Sequence, residues 1–412
     1  MTVNLGQGVT RSDGEWPADL DVAALRAGGW RPTPFREFVL KIHSRCDLAC
    51  DYCYMYEMAD QSWRSRPRRM SRTVLDQTAR RIAEHVHAHG LDRVKLVLHG
   101  GEPLLAGAER LAYAVRAVRT AVGSGTSVDV RVQTNAVRLN TAFLRIFDEL
   151  DVTVAVSLDG DEAAHDRHRR RPDGRGSHAA VRAGLALLTG DAFRHLFAGL
   201  LSTIDLHNPP VRTYEALLAW NPPQVDFLLP HGNWSAPPPG RTPGSPDTPY
   251  ADWLIAVFDR WYDAPRQETR VRTFAEIMQL LLGGASRTEN VGLSPVATIV
   301  VETDGALEQV SALKSAFPGA PATGLHVERD PFDTALLLPS VAARQSGLDA
   351  LAPACRSCAL RRVCGGGLYV HRYRAGNGFA NPSVYCPDMF RLIEHVRDRV
   401  RADLTARAAR QG

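Results

Sequence analysis

Residues 45–57 read RCDLACDYCYMYE, and the three cysteines within them, Cys46, Cys50 and Cys53, decide how the rest of the chain is read. The spacing CxxxCxxC offers three thiolates from one short loop, with an aromatic residue, Tyr52, just before the third. Three is the informative number, because a closed structural zinc site or an ordinary cubane cluster takes four protein ligands. Three ligands on a [4Fe–4S] cluster leave one iron open to a small molecule. A structural zinc loop completed by a nearby residue such as His43 is the alternative.

The loop follows FVLKIH, a short β-branched run. Similar runs recur at Arg93–His99, Val128–Thr134, Val152–Leu158, Leu196–Ile204 and Val225–Pro230. Continuous apolar runs of this length suit strands buried on both faces of a parallel sheet. Between them lie segments with apolar residues at helical spacing, among them Thr73–His89, Glu109–Val122 and His178–Leu188. Six alternations predict an α/β fold, a partial (β/α)6 TIM-like barrel, in which chemistry belongs at the C-terminal ends of the strands. The motifs discussed below fall at those ends.

Beyond Pro230 the run HGNWSAPPPGRTPGSPDTP is too rich in proline and glycine for a regular element. Helical patterns follow at Tyr250–Tyr262 and Val271–Leu282. ATIVVETDGALEQV then reads as a hairpin turning at Asp304-Gly305, and an arginine-rich helix begins near Asp388. The expected organisation is an N-terminal tail over 1–35 with one short helix near Val22–Ala27, and a barrel over 36–232. A linker and helical bridge follow over 233–290, then a cluster-bearing module with the C-terminal helix over 291–412.

At 412 residues, with 44% hydrophobic and 23% charged residues, the chain is long enough for a large packed domain plus a second module. A net charge of +4 gives no reason to invoke nucleic acid. Arginines cluster at Arg64, Arg66, Arg68 and Arg69 and again from Arg167 to Arg171, as solvated faces or as partners for an acidic peptide. No apolar stretch has the length of a membrane span, and the first residues lack a signal-peptide core. Seven cysteines in two groups read as reduced metal ligands, which places the protein in the cytoplasm.

Three further motifs end strands. HGGEP, at His99–Pro103, pairs glycines that let backbone approach a ligand with a carboxylate suited to an ammonium. QTNA is at Gln133–Ala136 and VSLDG at Val156–Gly160, with Arg169 shortly after in HDRHR. Together with the cysteine loop these resemble the radical S-adenosylmethionine (SAM) enzymes. The resemblance implies that Cys46, Cys50 and Cys53 hold a [4Fe–4S] cluster whose open iron chelates SAM. It assigns Gly100, Gly101 and Glu102 to the methionyl amino group, with Gln133 and Asn135 facing SAM. Ser157 and Arg169 would bind its carboxylate and ribose, and Tyr52 would position the adenine. Ala136 stands where the family has glycine.

A second set, Cys355, Cys358, Cys364 and Cys386, supplies four thiolates, a complete ligand set for one auxiliary [4Fe–4S] cluster or for zinc. CRSCALRRVCGGG resembles the SPASM extension of peptide-modifying radical SAM enzymes. The cysteines of that extension's other cluster are missing: the hairpin has none, and Leu368 occupies the last of those places. HSRCDLACDYCYMYEMADQSWRSRPRRMS, PHGNW and GNGFANPSVYCPDM resemble FxsB-type radical SAM/SPASM proteins, and the likeness runs from about Trp30 to Arg397. It implies a maturase of a ribosomally made precursor peptide that joins an aromatic ring carbon to a Cβ as a cyclophane. A flavodoxin or ferredoxin would be the electron donor, and neither nucleic acid nor membrane is involved. No peptide-recognition domain of the winged-helix kind is expected before the barrel. Candidate catalytic groups near strand ends are His99, Asp205 and His231, with Asn233 and Trp234 beside them; each reads equally well as an ordinary core or loop residue. Sulfatase-maturase-like oxidation, epimerisation, thioether formation and a non-catalytic peptide-binding role are the alternatives. The sulfatase maturases carry a catalytic Asp where this chain has Ser311.

Overall fold

All six apolar runs become strands in a computed structural model that describes residues 16–411. They are β1 (Glu37–His43), β2 (Arg93–Gly100), β3 (Ser127–Thr134), β4 (Val152–Ser157), β5 (Phe197–Thr203) and β6 (Gln224–Leu228). They pair in parallel in that order, and a two-residue β7 (Arg270–Val271) extends the β6 edge. Valine and leucine fill them because both faces are covered; Leu40, Leu98, Val132, Val154 and Val156 are fully buried. The covering helices start where short polar side chains take up free backbone N–H groups. Ser71 caps Arg72–Ala88, Asn140 caps Thr141–Glu149 and Asp161 caps Glu162–His168.

The expected hairpin exists, and it is part of the same sheet. Strand β8 (Thr298–Val301) pairs in parallel with β1, β9 (Ala306–Glu308) pairs antiparallel with β8, and β10 (Ala322–His326) completes the edge. The full order is β10-β9-β8-β1-β2-β3-β4-β5-β6-β7. The C-terminal segments therefore flank the strand that leads into the three-cysteine loop. Residues 229–248 contain neither helix nor strand. The two helices after them are Pro249–Tyr262 and Arg272–Leu281, so Val271, expected in the second helix, belongs to β7. The C-terminal helix is Cys386–Gln411. Its Asp388 accepts from the N–H groups of Tyr250 (2.9 Å) and Ala251 (3.1 Å), fastening the helix Pro249–Tyr262 to it. In the tail, Val22–Ala27 is helical, and residues 1–15 lie outside the described residues. No helix among the described residues is long and apolar enough to cross a membrane.

One buried ionic cluster joins the hairpin to the segment after the cysteine loop. Lys314 Nζ lies 2.8 Å from Glu308, 3.4 Å from Glu302 and 3.8 Å from Asp60, with its side chain 1% exposed. Arg66 adds a 2.9 Å pair to Glu308 and a further pair to Asp304, so it is no part of a solvated arginine face. Burial works against the charge on Lys314, but Glu308 and Glu302 hold its pKa above the ordinary lysine value. Removing this cation leaves Glu302 buried without its ion-pair partner and Glu308 with Arg66 alone. Lys314→Met is therefore expected to cost about 3–5 kcal/mol of stability in denaturant unfolding, and adding Glu302→Gln and Glu308→Gln should recover part of it. Equal stability of Lys314→Met and wild type would contradict the clustering of charge described here.

Candidate functional site

The backbone path sets the site. After β1 the chain turns into the cysteine loop, and after β2 it turns back across it. Gly101 N–H donates to the His43 carbonyl (2.8 Å) and Glu102 N–H to the Arg45 carbonyl (3.0 Å). The two glycines serve this approach. A Cβ on Gly100 would lie 2.2 Å from the His43 carbonyl oxygen, and one on Gly101 would lie 1.8 Å from the Tyr56 hydroxyl and 2.5 Å from the Arg45 carbonyl oxygen. Closeness to the cysteine loop, as much as to any ligand, requires glycine here.

Glu102 extends the joint to β3. It is 1% exposed. Its Oε1 accepts from Leu104 N–H (2.9 Å) and the Thr134 hydroxyl (2.7 Å), and its Oε2 accepts from Asn135 N–H (2.8 Å). Burial nonetheless raises its pKa to about 7, against the pull of those donors. Asn135 donates to Asp47 at 2.9 Å, inside the cysteine loop, and approaches Cys46 Sγ at 3.7 Å. Asp47 in turn pairs with Arg138 at 2.8 Å. Ala136 takes φ +60° while fully buried, a left-handed conformation that glycine adopts more readily. Gln133 donates to Ser157 at 3.0 Å.

A second knot lies after β4. The Tyr52 hydroxyl donates to Asp159 and accepts from Arg169 at 2.8 Å, and Asp159 also accepts from Thr203 N–H at 2.9 Å. Burial opposes the charge of Arg169, yet Tyr52, Cys50 and Asp159 keep it cationic, and its Nε is buried without a protein partner. The sequence reading passed over Asp159 although it stands two residues beyond Ser157; the signal was a carboxylate in a strand-end turn. Asp47 and Lys41 were passed over too, and for Lys41 the signal was a lone cation in an apolar strand.

These residues enclose one cavity of ≈ 180 Å³. Its wall includes all three cysteines of the loop and Tyr52, Gly100, Gly101, Glu102, Gln133, Asn135, Ser157 and Arg169. Burial pushes the Cys50 thiol up to about 11 and raises Cys46 and Cys53 as well, and a bound metal would offset that burial and favour the thiolates. Leu48 N–H points at Cys46 Sγ from 3.4 Å, a donor suited to a metal-bound sulfur. Three cysteines and a polar wall fit a three-ligand cluster with a small polar molecule beside it.

Tyr54, His99, Leu228, Leu229 and His231 line this cavity and also a larger one of ≈ 410 Å³. His99 and His231 thus sit at the junction. His99 Nδ1 accepts from Gly100 N–H (2.7 Å) and lies 3.2 Å from Lys41 Nζ, its strand neighbour across β1–β2. Burial and then Lys41 lower the His99 pKa to about 3, and burial lowers His231 to about 4, so both rings are neutral. Burial brings Lys41 down to about 8. His371, which the sequence reading missed for want of any local signal, lines the larger cavity with its ring 5.9 Å from that of His231.

Asp205 is not brought to either cavity. It binds Arg167 (3.1 Å), His168 (3.2 Å) and His207 (2.8 Å), and reaches the site only through His168, whose ring packs on Tyr52 at 5.6 Å. Asn233 and Trp234 are likewise structural. Asn233 accepts from Ser235 and Ala236 N–H and donates to the Ser315 carbonyl, and Trp234 donates to the Pro382 carbonyl.

Cys355, Cys358, Cys364 and Cys386 line a separate cavity of ≈ 80 Å³ walled by Ala354, Leu360, Pro382 and Phe390. Leu360 N–H lies 3.4 Å from Cys358 Sγ, repeating the donor seen at Cys46. The buried guanidinium of Arg372 gathers the carbonyls of Gly365 (2.6 Å), Gly366 (3.1 Å) and Gly367 (2.7 Å), fixing the turn after Cys364. Four thiols around one small apolar cavity fit a closed four-ligand metal centre.

Comparison with known proteins agrees with this geometry. The family model for the Radical SAM superfamily matches residues 40–198. The serine-type anaerobic sulfatase-maturating enzyme of Klebsiella aerogenes is 33% identical over 176 residues, which are 41% of this chain and 42% of that one. The cysteine-type enzyme of Clostridium novyi (strain NT) is 22% identical over 269 residues, 64% of this chain and 70% of its own. The chain thus spans less than half the length of the first of these relatives. Among solved structures, native anSMEcpe with bound AdoMet and Cp18Cys peptide superimposes with a TM-score of 0.73 at 18% identity, covering 90% of this chain and 99% of that one. Streptococcus suis SuiB bound to precursor peptide SuiA gives 0.56 at 15% identity, covering 88% and 78%. At such identities the structural likeness concerns the fold. With the matched segment holding the three-cysteine loop and the motifs after β2, β3 and β4, residues 40–198 are a radical SAM domain.

Proposed function

We propose that this chain is a radical SAM maturase of a ribosomally made peptide, forming a bond between an aromatic ring carbon and a side-chain Cβ. The observation that carries the reading is the pair of joined cavities: the motif-lined one, and a larger one open beside it, with His99, His231 and Tyr54 at their boundary. Peptide-bound and AdoMet-bound relatives of the same fold support a peptide as substrate and SAM as co-substrate.

Cys46, Cys50 and Cys53 hold the cluster in this reading, and Cys355, Cys358, Cys364 and Cys386 hold one auxiliary [4Fe–4S] cluster. Bound together, the first cluster and SAM supply a one-electron reduction and a 5′-deoxyadenosyl radical able to take an unactivated hydrogen atom. Glu102, held by β3, offers its carboxylate to the SAM ammonium, with Gly100 and Gly101 bringing the backbone close. Arg169, with one nitrogen unpartnered, serves the SAM carboxylate. Ser157, Gln133 and Asn135 complete the polar wall, and the Tyr52–Asp159–Arg169 knot fixes the guanidinium. The neutral rings of His99 and His231 face the junction, where one can accept the proton that leaves the arene on rearomatisation. The one electron lost with it would go to the auxiliary cluster that Cys355, Cys358, Cys364 and Cys386 would hold. Asp205 acts at most through His168. A flavodoxin or ferredoxin is the electron donor in this reading.

Sulfatase-type oxidation of a serine or cysteine is the second reading, favoured by the named relatives. Against it stands Ser311, on the wall of the larger cavity where the maturases are expected to carry an aspartate.

After anaerobic reconstitution the protein should hold about eight iron and eight sulfide, and a Cys46→Ala, Cys50→Ala, Cys53→Ala variant about four, from two cubanes and one. Loss of all iron in the variant, or a wild type that takes up only about four iron with the balance made up by zinc at the four cysteines, would overturn the auxiliary assignment. With SAM, a low-potential reductant and its peptide, the enzyme should release 5′-deoxyadenosine and yield a peptide lighter by two hydrogens. Tandem mass spectrometry should find no backbone fragments between the joined residues, and deuterium placed at the attacked Cβ should appear in 5′-deoxyadenosine. A product that reacts with an aldehyde probe would select the sulfatase reading, and one of unchanged mass with solvent deuterium at Cα would mean epimerisation.

A further inference from the structure

Away from both cysteine sites, the outer helix Arg72–Ala88 ends in HVHAH, which sets His85 and His89 four residues apart on one helical face. Asp333, in the helix Phe332–Leu336 that follows β10, meets them there. His85 Nδ1 lies 2.5 Å from Asp333 Oδ1, and His89 Nε2 lies 3.1 Å from each Asp333 oxygen. One ligand atom from each residue falls within 4.8 Å of the others. We propose that His85, His89 and Asp333 bind one zinc-like divalent cation that ties this helix to the segment after β10.

The donor set is right for the ion. Two imidazole nitrogens and one carboxylate oxygen are common zinc ligands, and three protein ligands leave a fourth position to water. The site has a buried and an open side: the His85 side chain is 1% exposed, that of His89 25% and that of Asp333 47%. Phe35, Phe38 and Phe332 pack around the His85 ring at centroid distances of 5.8, 5.9 and 6.2 Å, so its orientation is set before any ion arrives. A structural role suits the location. Arg81, on the same helix, already donates to the carbonyls of Val327 (2.9 Å) and Glu328 (3.3 Å), and an ion would add a stronger link between the same two segments. None of the three residues lines the cavities that hold the cysteines.

The test uses the full chain with its iron–sulfur clusters in place, treated with EDTA, desalted, and then titrated with zinc. Zinc and iron are both counted, and thermal unfolding is followed. The wild type should retain about one zinc per chain more than Asp333→Asn or His89→Ala, since each variant removes a ligand. Zinc should raise the unfolding midpoint of the wild type alone, as expected for a ligand that binds only the folded state. Iron should be the same in all three proteins, which shows that the variants fold and that the extra zinc is not at the cysteines. Should Asp333→Asn lose iron, His89→Ala, altered at a part-exposed position on the helix end, carries the comparison. Equal zinc in wild type and His89→Ala, or none retained by the wild type, would reduce the trio to a hydrogen-bonded clamp and overturn the proposal.

Discussion

The site depends on one contact between two strand-end loops. The backbone after β2 lies against the cysteine loop through Gly101 N–H to His43 and Glu102 N–H to Arg45, at distances that exclude any side chain at residues 100 and 101. From that contact Glu102 reaches across to Thr134 and Asn135, and Asn135 reaches back to Asp47 within the cysteine loop. Three consecutive strand ends are thereby locked to one another around the thiols. A parallel sheet offers this naturally, since it delivers the C-terminal ends of neighbouring strands side by side.

The opposite flank of β1 is held by charge. The hairpin that pairs with β1 brings Glu302 and Glu308 to the buried Lys314, and Arg66 and Asp60 close the cluster from the segment after the cysteine loop. Lys41 projects from β1 between this cluster and His99, which places a buried amine next to the junction of the two cavities. This hairpin is held by ion pairs, whose strength comes from mutual satisfaction in a dry setting.

Much of this was legible in the sequence. The strands were, because burial on both faces writes an unbroken apolar run, and the motifs were, because each is a short local word at a strand end. The parallel pairing of β8 with β1 was not: it joins residues more than 250 positions apart, and no local pattern encodes it. Side-chain direction was also hidden. Asp205, His231 and Asn233 all follow strands, yet His231 faces the cavity, Asp205 turns to His168, and Asn233 ties down its own loop. Asp159 escaped notice because its value lies in a contact with Tyr52, more than a hundred residues away, joined there by Arg169. The glycines of HGGEP were recognised for a ligand's sake, while the structure gives them a nearer neighbour, the cysteine loop itself.

That last point allows a direct test. Gly101→Ala forces a methyl group against the Tyr56 hydroxyl and the Arg45 carbonyl. If the contact between the two loops is what seats the three thiols, the reconstituted variant should lose its first cluster and keep about four iron, those of the auxiliary centre. A Gly101→Ala protein that retains its full iron and differs only in SAM affinity would contradict the account.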